Sequence, residues 1–251
     1  LMAVAATVTL SPGFVLAQGA ADYPAKTVRI IVGSSPGGGA DQTARMLAQK
    51  LNESLKGQFV VDNRPGGGDT IATGLTAKSA PDGYTLMVAG TSFTIAPSLY
   101  PDFLVDPIKD FVPISLSTKA PLLLVVHPSL PVKSVKELIA LAKSKPGALD
   151  WGTTIGGNTH LSSAYFASIA DIKITFIPYK GGAPVVTAGI AGQVPALLGN
   201  AFAVMPFVQS GRLRALAVST KERSSLLPEV PTIAESGIPA LAGHDVYSWF
   251  G

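Results

Sequence analysis

Val28-Arg29-Ile30-Ile31-Val32, followed without a break by Gly33-Ser34-Ser35-Pro36-Gly37-Gly38-Gly39-Ala40-Asp41, decides the fold class of this chain. The first part is a short β-branched run, interrupted only by Arg29, and reads as a buried strand. From Asp41 to Leu55 apolar side chains recur at Ala44, Leu47, Ala48, Leu51 and Leu55, which is helical spacing. A strand that ends in a glycine loop and opens a helix is the repeating unit of α/β sheets, whose ligands bind at the carboxyl ends of the strands. Glycines there let the backbone approach a ligand, and their N–H groups add to the partial positive charge of the helix N-terminus. Such a loop holds a carboxylate without any Arg or Lys. Asp41, where the helical pattern starts, is expected to be the N-cap.

The unit repeats outward. Phe59-Val60-Val61 is a second strand, Thr70 to Ala80 a helix stopped by Pro81-Asp82-Gly83, and Tyr84 to Val88 a third strand. A β-α-β-α-β rhythm predicts a mostly parallel sheet covered by helices. A second series begins with a strand at Leu122 to Val126. A helix follows over Ser134 to Ser144, with Ser134 and Glu137 spaced as a capping box and Lys145-Pro146-Gly147 as its stop. Strands at Trp151 to Thr153, Ile174 to Pro178 and Leu213 to Val218 alternate with helices at Leu161 to Ala170 and Pro184 to Ala191. The stretch Pro101 to Pro121, rich in Pro, Asp and Lys, is expected to cross from one series to the other.

Composition narrows the function. Of 251 residues, 47% are hydrophobic and 14% charged, the balance of a well-buried globular protein. With no cysteine in the sequence, no disulfide, thiolate nucleophile, Cys-ligated metal or lipoprotein anchor is expected. The net charge of +3 is scattered, with no basic stripe and interleaved aromatics, so no nucleic-acid partner is expected. No two of His127, His160 and His244 have metal-ligand spacing, and there is neither a P-loop nor a G-x-G-x-x-G in a dinucleotide-binding context. No metal or cofactor is expected. Leu1 to Leu16 carries no charge, and Val15-Leu16-Ala17 has small residues at the spacing that signal peptidase accepts; residues 1–17 read as a secretory signal shortened at its start.

The loops after the strands hold the candidate binding residues. The first offers Ser34, Ser35, Gly37, Gly38 and Gly39, with Asp41 behind them. After the second strand, Asn63-Arg64-Pro65-Gly66-Gly67-Gly68-Asp69-Thr70 repeats the theme, with Gly67 among its backbone donors. Thr91 and Ser92 follow the third strand and add hydroxyls. In the second series Thr154, Gly157, Asn158, Thr159 and His160 precede a helix, and Tyr179 with Lys180-Gly181-Gly182 follows the next strand. His160 is equally readable as a first-turn residue packed on its own loop. Loops of the two series can face each other as a clamp, with no general base or nucleophile evident behind them. One pattern points elsewhere: Gly33, Ser35 and Gly37 form a G-x-S-x-G after a strand, the setting of a hydrolase nucleophile that would use His160 or His244 as base. The residue after Ser35 is Pro36, which has no N–H to donate to an oxyanion, and that argues against an enzyme.

In these stretches the sequence resembles the substrate-binding proteins of tripartite tricarboxylate transporters, the Bug/TctC family. The resemblance runs from about Tyr23 to Gly251. It rests on Pro36-Gly37-Gly38 with Asp41 and Arg45, Asn63-Arg64-Pro65-Gly66, Ala80 to Leu86, Asp106-Pro107 with Lys109-Asp110-Phe111, Pro178-Tyr179-Lys180-Gly181, Gly192-Gln193-Val194, Leu213 to Val218, and Pro228 with Val230-Pro231-Thr232. The resemblance implies a Venus flytrap of two α/β lobes, with residues 22–119 in lobe 1, 120–240 in lobe 2 and 241–251 returning to lobe 1. It implies a periplasmic monomer that takes a small carboxylate between Ser34 to Asp41 and Gly156 to His160 and passes it to transmembrane transporter subunits. A periplasmic sensing subunit would share these motifs. Where the family often carries acidic residues after Gly-Gln-Val, this chain has Pro195-Ala196-Leu197-Leu198-Gly199-Asn200. That lining, with Asn200 as its polar end, favours a less polar or aromatic acid. The family pattern runs on past Gly251, so the chain is expected to stop short of the last elements of lobe 1.

Overall fold

A computed structural model of the chain describes residues 23–238 and 244–251. The expected signal at 1–17 and the start of the returning segment at 241–243 lie outside them. The first series holds β1 (Val28–Val32), α1 (Gly39–Leu55), β2 (Phe59–Asn63), a 3-10 turn at Gly67–Asp69, α2 (Thr70–Ala77), β3 (Thr85–Ala89) and α3 (Ser92–Leu99). A long strand, β4 (Pro113–Val126), leads into the second: α4 (Val135–Ser144), β5 (Asp150–Thr153), α5 (Asn158–Ile169), β6 (Thr175–Pro178), α6 (Gly182–Ile190), β7 (Ala196–Asn200), α7 (Ala201–Gln209) and β8 (Arg214–Val218). The last described element is β9 (His244–Phe250).

The sheet order is β2-β1-β3-β9-β4-β7-β5-β6, with β8 also on β4. β1 pairs in parallel with β2 and β3, and β5 in parallel with β6 and β7. The antiparallel pairs lie where the two series join: β9 bridges β3 and the first half of β4, while the second half of β4 pairs with β7 and β8. Residues 101–112 connect the series, but Pro113 to Pro121, read in the sequence as part of an irregular crossing, is strand. Its side chains are mostly exposed or half-buried, so it lacks the apolar run that marks Leu122 to Val126.

Both faces of each sheet half are buried, as parallel sheets require. Alternation along β1 sends Val28, Ile30 and Val32 toward Ala40, Ala44 and Ala48 of α1, and Ile31 toward Ala72 and Phe93 on the other face. In β4, Leu122, Leu124 and Val126 pack with Leu138, Trp151 and Phe166, while Leu123 and Val125 pack with Val185, Val186 and Val204. The capping box of α4 forms: Ser134 Oγ accepts from Glu137 N (3.2 Å), and Glu137 Oε2 accepts from Lys133 N (2.6 Å). At α1 the expectation is corrected. The helix starts at Gly39 with Gly38 as N-cap, and Asp41 lies in the first turn. Gly38, itself extended, already accepts the first helical bond at its carbonyl from Gln42 N (3.0 Å), and Asp41 instead reaches back to the loop through its side chain.

Candidate functional site

The loop after β1 is shaped by one buried carboxylate. Asp41 Oδ2 accepts from Gly37 N (2.9 Å) and from Arg45 Nε (3.0 Å), and its Oδ1 accepts from Asn63 Nδ2 (2.9 Å). Asn63, at the end of β2, also donates to Ser34 O (3.0 Å), and Arg45 donates to Asn63 Oδ1 (3.0 Å). Burial would push the Asp41 carboxyl upward, but the hydrogen bonds from Arg45, Gly37 and Asn63 and the Arg45 charge hold it below the usual carboxylate range. Gly37 sits at φ 81°, a conformation that glycine takes without strain. Asp41 therefore fixes the loop from behind.

The loop forms one wall of a cleft of about 770 Å³ including its open mouth. Gly33, Ser34, Gly38, Gly39 and Ala40 line it from the first series, with Asp69, Gly90 and Ser92 beside them. Thr154, Gly157, Asn158 and Thr159 face them from the second series, next to Gly181 and Gly182 at the start of α6. Val185, Val186, Leu197, Leu198 and Ala203 make an apolar end, closed by Asn200 and Tyr247. Asn200 Oδ1 caps α7 by accepting from Phe202 N (3.0 Å), and its Nδ2 donates to Tyr247 Oη (3.1 Å). A Cβ on Gly39 would collide with the Tyr247 hydroxyl and come within 2.9 Å of Asn200 Cγ, so only glycine lets α1 begin this close to both.

The positive electrostatics of the cleft come from backbone, and Asp69 is the acidic side chain beside them. α1, α5 and α6 all start on it, behind the N-cap residues Gly38, Gly157 and Gly181, and none of these has a side-chain cap. The first N–H groups of a helix have no partner inside the helix. Each N-terminus also carries about half a positive charge. No Lys or Arg is among the residues lining this cleft. Three such helix ends converging on a half-apolar cleft make a site for an anion with a hydrocarbon body.

The structure sorts the candidates. Ser34, Gly38, Gly39, Ser92, Thr154, Gly157, Asn158, Thr159 and Asn200 come together in the main cleft. Gly67 and Tyr179 line an adjoining chamber with Tyr100, Ile155 and Lys180. Ser35, Gly37, Asp41, Thr91 and His160 line neither. Asp41 and Gly37 are the scaffold described above, and Thr91 is the N-cap position of α3. Ser35 is buried against Gly181, whose Cβ would come within 3.0 Å of Ser35 Cβ. Its hydroxyl makes no hydrogen bond among the described residues. His160 packs on its own loop: its ring meets Phe176 edge-on at 5.0 Å, Nδ1 lies 3.4 Å from Gly156 N, and burial lowers its pKa from 6.5. The hydrogen bond of a hydrolase pair, serine to histidine, is not formed by Ser35 and His160; the His244 side chain lies outside the described residues.

Asp69, Tyr247, Gly33, Gly181 and Gly182 also line the site; all but Tyr247 stand in loops the sequence points to, without being chosen there as binding residues. The glycines at 181 and 182 stand at a strand-to-helix turn, the same signal that marked residues 33–39. Tyr247 carries no local signal; only the return of β9 brings it in. Among the described residues there is no helix long and apolar enough to cross a membrane and no cluster of metal-ligating side chains.

Residues 43–251 match the family model of the tripartite tricarboxylate transporter family receptor. The chain is 40% identical over 242 residues to Protein BugT of Bordetella pertussis, covering 95% of this chain and 74% of that one. It superposes on the structure of the periplasmic binding protein BugD with a TM-score of 0.88 and 30% identity, covering 91% of this chain and 77% of that one. It superposes on Rpa4515 of R. palustris with adipate at a TM-score of 0.89 and 35% identity, covering 92% and 78%. The two-lobe α/β fold is therefore that of the periplasmic binding proteins, and the chain belongs to the tripartite tricarboxylate transporter receptor family, the Bug/TctC group.

Proposed function

We propose that this chain is a periplasmic receptor that captures a small organic carboxylate in the cleft between its lobes and delivers it to the transmembrane subunits of a tripartite tricarboxylate transporter. Lobe 1 is residues 22–119 with the returning segment 241–251, lobe 2 is residues 120–240, and residues 1–17 serve as the export signal. The observation that carries the reading is the convergence of the uncapped starts of α1, α5 and α6 on a cleft without Lys or Arg. Each such helix end contributes roughly 0.3–1 kcal/mol toward an anion, up to about 2 in partly buried geometry. Backbone N–H groups add hydrogen bonds to the charge that exceed those between neutral groups. The apolar end at Val185, Val186, Leu197, Leu198 and Ala203 suits the hydrocarbon of the acid. Adipate in the related Rpa4515 structure is a ligand of this kind, two carboxylates on a saturated chain.

In this mechanism Ser34, Gly38, Gly39, Thr154, Gly157, Asn158 and Thr159 bind the carboxylate, and Ser92 and Asn200 complete the polar wall. Closure brings Gly181 against Ser35 and Gly156 against Tyr100, which removes the ligand from water. The closed pair of lobes is then the surface that the membrane subunits recognise. A thermal-shift screen of the chain against aliphatic and aromatic mono-, di- and tricarboxylates tests the reading, because a ligand that binds only the folded state raises the Tm. A concentration-dependent rise with carboxylates, absent with the corresponding amides and amines, is expected. A rise with neutral or cationic compounds alone would sink it.

A further inference from the structure

We propose that Asp69 makes this receptor select acids that carry a hydrogen-bond donor, a hydroxyl or an ammonium group, next to the carboxylate. The inference rests on the carboxylate reading of the cleft and specifies it. Asp69 is an acidic side chain in a main cleft whose other charge is the positive ends of helices, and it also lines the adjoining chamber, where Lys180 stands. A carboxylate in that place repels a bare acid. It offsets that cost only if it accepts a hydrogen bond from the ligand.

The backbone around it is placed with unusual constraint. Asp69 holds φ 74°, in the left-handed region that glycine tolerates and other residues reach at a cost. It occupies the N-cap position of α2, where an aspartate ordinarily accepts from the first-turn N–H groups, but its side chain makes no capping bond. It is turned to Gly33, where β1 opens into the anion-binding loop. An added Cβ on Gly33 would lie 2.6 Å from Asp69 Cγ, so Gly33 leaves the space that the Asp69 carboxylate fills. Asp69 also takes part in an interaction within the protein. A carboxylate offers about four acceptor sites on its two oxygens, enough to serve a partner within the protein and a ligand together. A strained residue that gives up its cap to place a charge beside Gly33 is set for recognition, not for the stability of α2.

The site then reads as two polar groups and an apolar wall: helix-end N–H groups for the carboxylate, Asp69 for a donor on the adjacent carbon, and the wall of Val185, Val186, Leu197 and Leu198 for the rest of the chain. Selectivity follows because a plain acid meets the negative charge of Asp69 with nothing to offset the repulsion, whereas a donor on the adjacent carbon turns the same charge into an attraction.

Calorimetry with series matched in carbon skeleton tests this: succinate, malate and aspartate; glutarate, 2-hydroxyglutarate and glutamate; adipate and 2-aminoadipate. The expected result is that, in at least one series, the hydroxy or amino acid binds wild type about tenfold or more tighter than the plain diacid. Asp69→Asn should bring that ratio near one and tighten the plain diacid, since a like charge has gone. Asp69→Gly, which accepts φ 74° freely, guards against misfolding and should show the same loss of ratio at an unchanged or higher Tm. The hydroxy and amino members of each series tell the two donor types apart. Plain diacids that bind wild type as tightly as their substituted partners, or a preference that survives both variants, would overturn the role of Asp69 alone. Failure of every acid in every series to bind wild type would overturn the carboxylate reading itself.

Discussion

The two loops that face each other across the cleft are built differently. Residues 33–41 are wired by side chains: Asp41, Arg45 and Asn63 tie Gly37, Ser34 and the end of β2 into one network. Residues 154–160 are held chiefly by backbone turns, Gly157 N to Thr154 O (3.0 Å) and His160 N to Gly157 O (3.1 Å), and the bond from Gly156 N to His160 Nδ1 is long at 3.4 Å. Support for the second loop comes from below, where Trp151 Nε1 donates to Ser163 Oγ (2.8 Å) and Ser163 Oγ donates to Thr159 O (2.6 Å). The contrast teaches that one jaw is preorganised and the other complies. Under the proposed function, a rigid first loop spares part of the ordering cost of binding the carboxylate, and a compliant second loop adjusts to it from the other side.

The largest expected effect breaks the rigid jaw. Asp41→Ala removes a buried carboxylate that accepts from Gly37, Arg45 and Asn63, and leaves those donors without it. A loss of about 2–4 kcal/mol in stability is expected, with ligand affinity down at least about tenfold. Differential scanning calorimetry and titration of the same sample check both. A variant that keeps its Tm but loses binding would mean that the network shapes the loop without stabilising the fold.

A next, smaller effect tests where the jaws meet. Gly181 sits at φ 112°, and any side chain there would press on Ser35. Gly181→Val should keep the lobes apart and lower affinity about 10–100-fold, and small-angle scattering with ligand should retain the open dimensions. Backbone strain adds a stability loss of about 1–3 kcal/mol. Gly182→Ala is the control, because an added Cβ there meets nothing within 4 Å. If Gly181→Val still compacts with ligand, closure does not run through the Ser35 contact.

Tyr247→Phe is milder. It removes the hydroxyl that accepts from Asn200 and touches Gly39, the point where α1, α7 and β9 meet. One hydrogen bond of this kind contributes about 1 kcal/mol, which lowers the Tm by roughly 2–4 °C in a protein of this size. Measured with and without ligand, the variant shows whether the Asn200 side of the cleft belongs to the rigid jaw or the compliant one.

These differences were unevenly legible in the sequence. The strand-glycine-helix unit at residues 28–55 was readable because it is local: a β-branched run, three consecutive glycines and a helical repeat all fall within one stretch. The α4 cap was readable for the same reason. Asp41 was recognised as structural but assigned the wrong position, because glycines leave the first helical residue unmarked and the side chain's partner Asn63 is 22 residues away. β7 was read as cleft lining, not as a strand, since Ala196-Leu197-Leu198-Gly199-Asn200 has no alternation to show that both of its faces are buried. β9 and Tyr247 were invisible as site elements, because their place is set by pairing to β3 and β4 across more than a hundred residues of chain. Asp69 received no role of its own within the glycine loop; its backbone angle and its position beside Gly33 emerge only in the folded chain.

The smallest effect separates the two jaws by pH. Burial lowers the pKa of His160 from 6.5, so the folded protein favours the neutral ring. With the folded value below the unfolded one, the stability tied to a neutral His160 is complete above pH 6.5 and is lost as pH falls from there through the folded value. Asp41 obeys the same sign at lower pH: its contribution is complete above the unfolded value of 3.8 and is lost only as pH falls through its still lower folded value. Between pH 6.5 and 3.8 the second jaw therefore titrates while the first does not. Melting curves across that range should fall more steeply for wild type than for His160→Gln, by a degree or two in Tm for each ~0.5 kcal/mol. Parallel curves would mean that the ring finds water when protonated, and that the second loop opens at no cost, which would make it more compliant than its backbone turns imply.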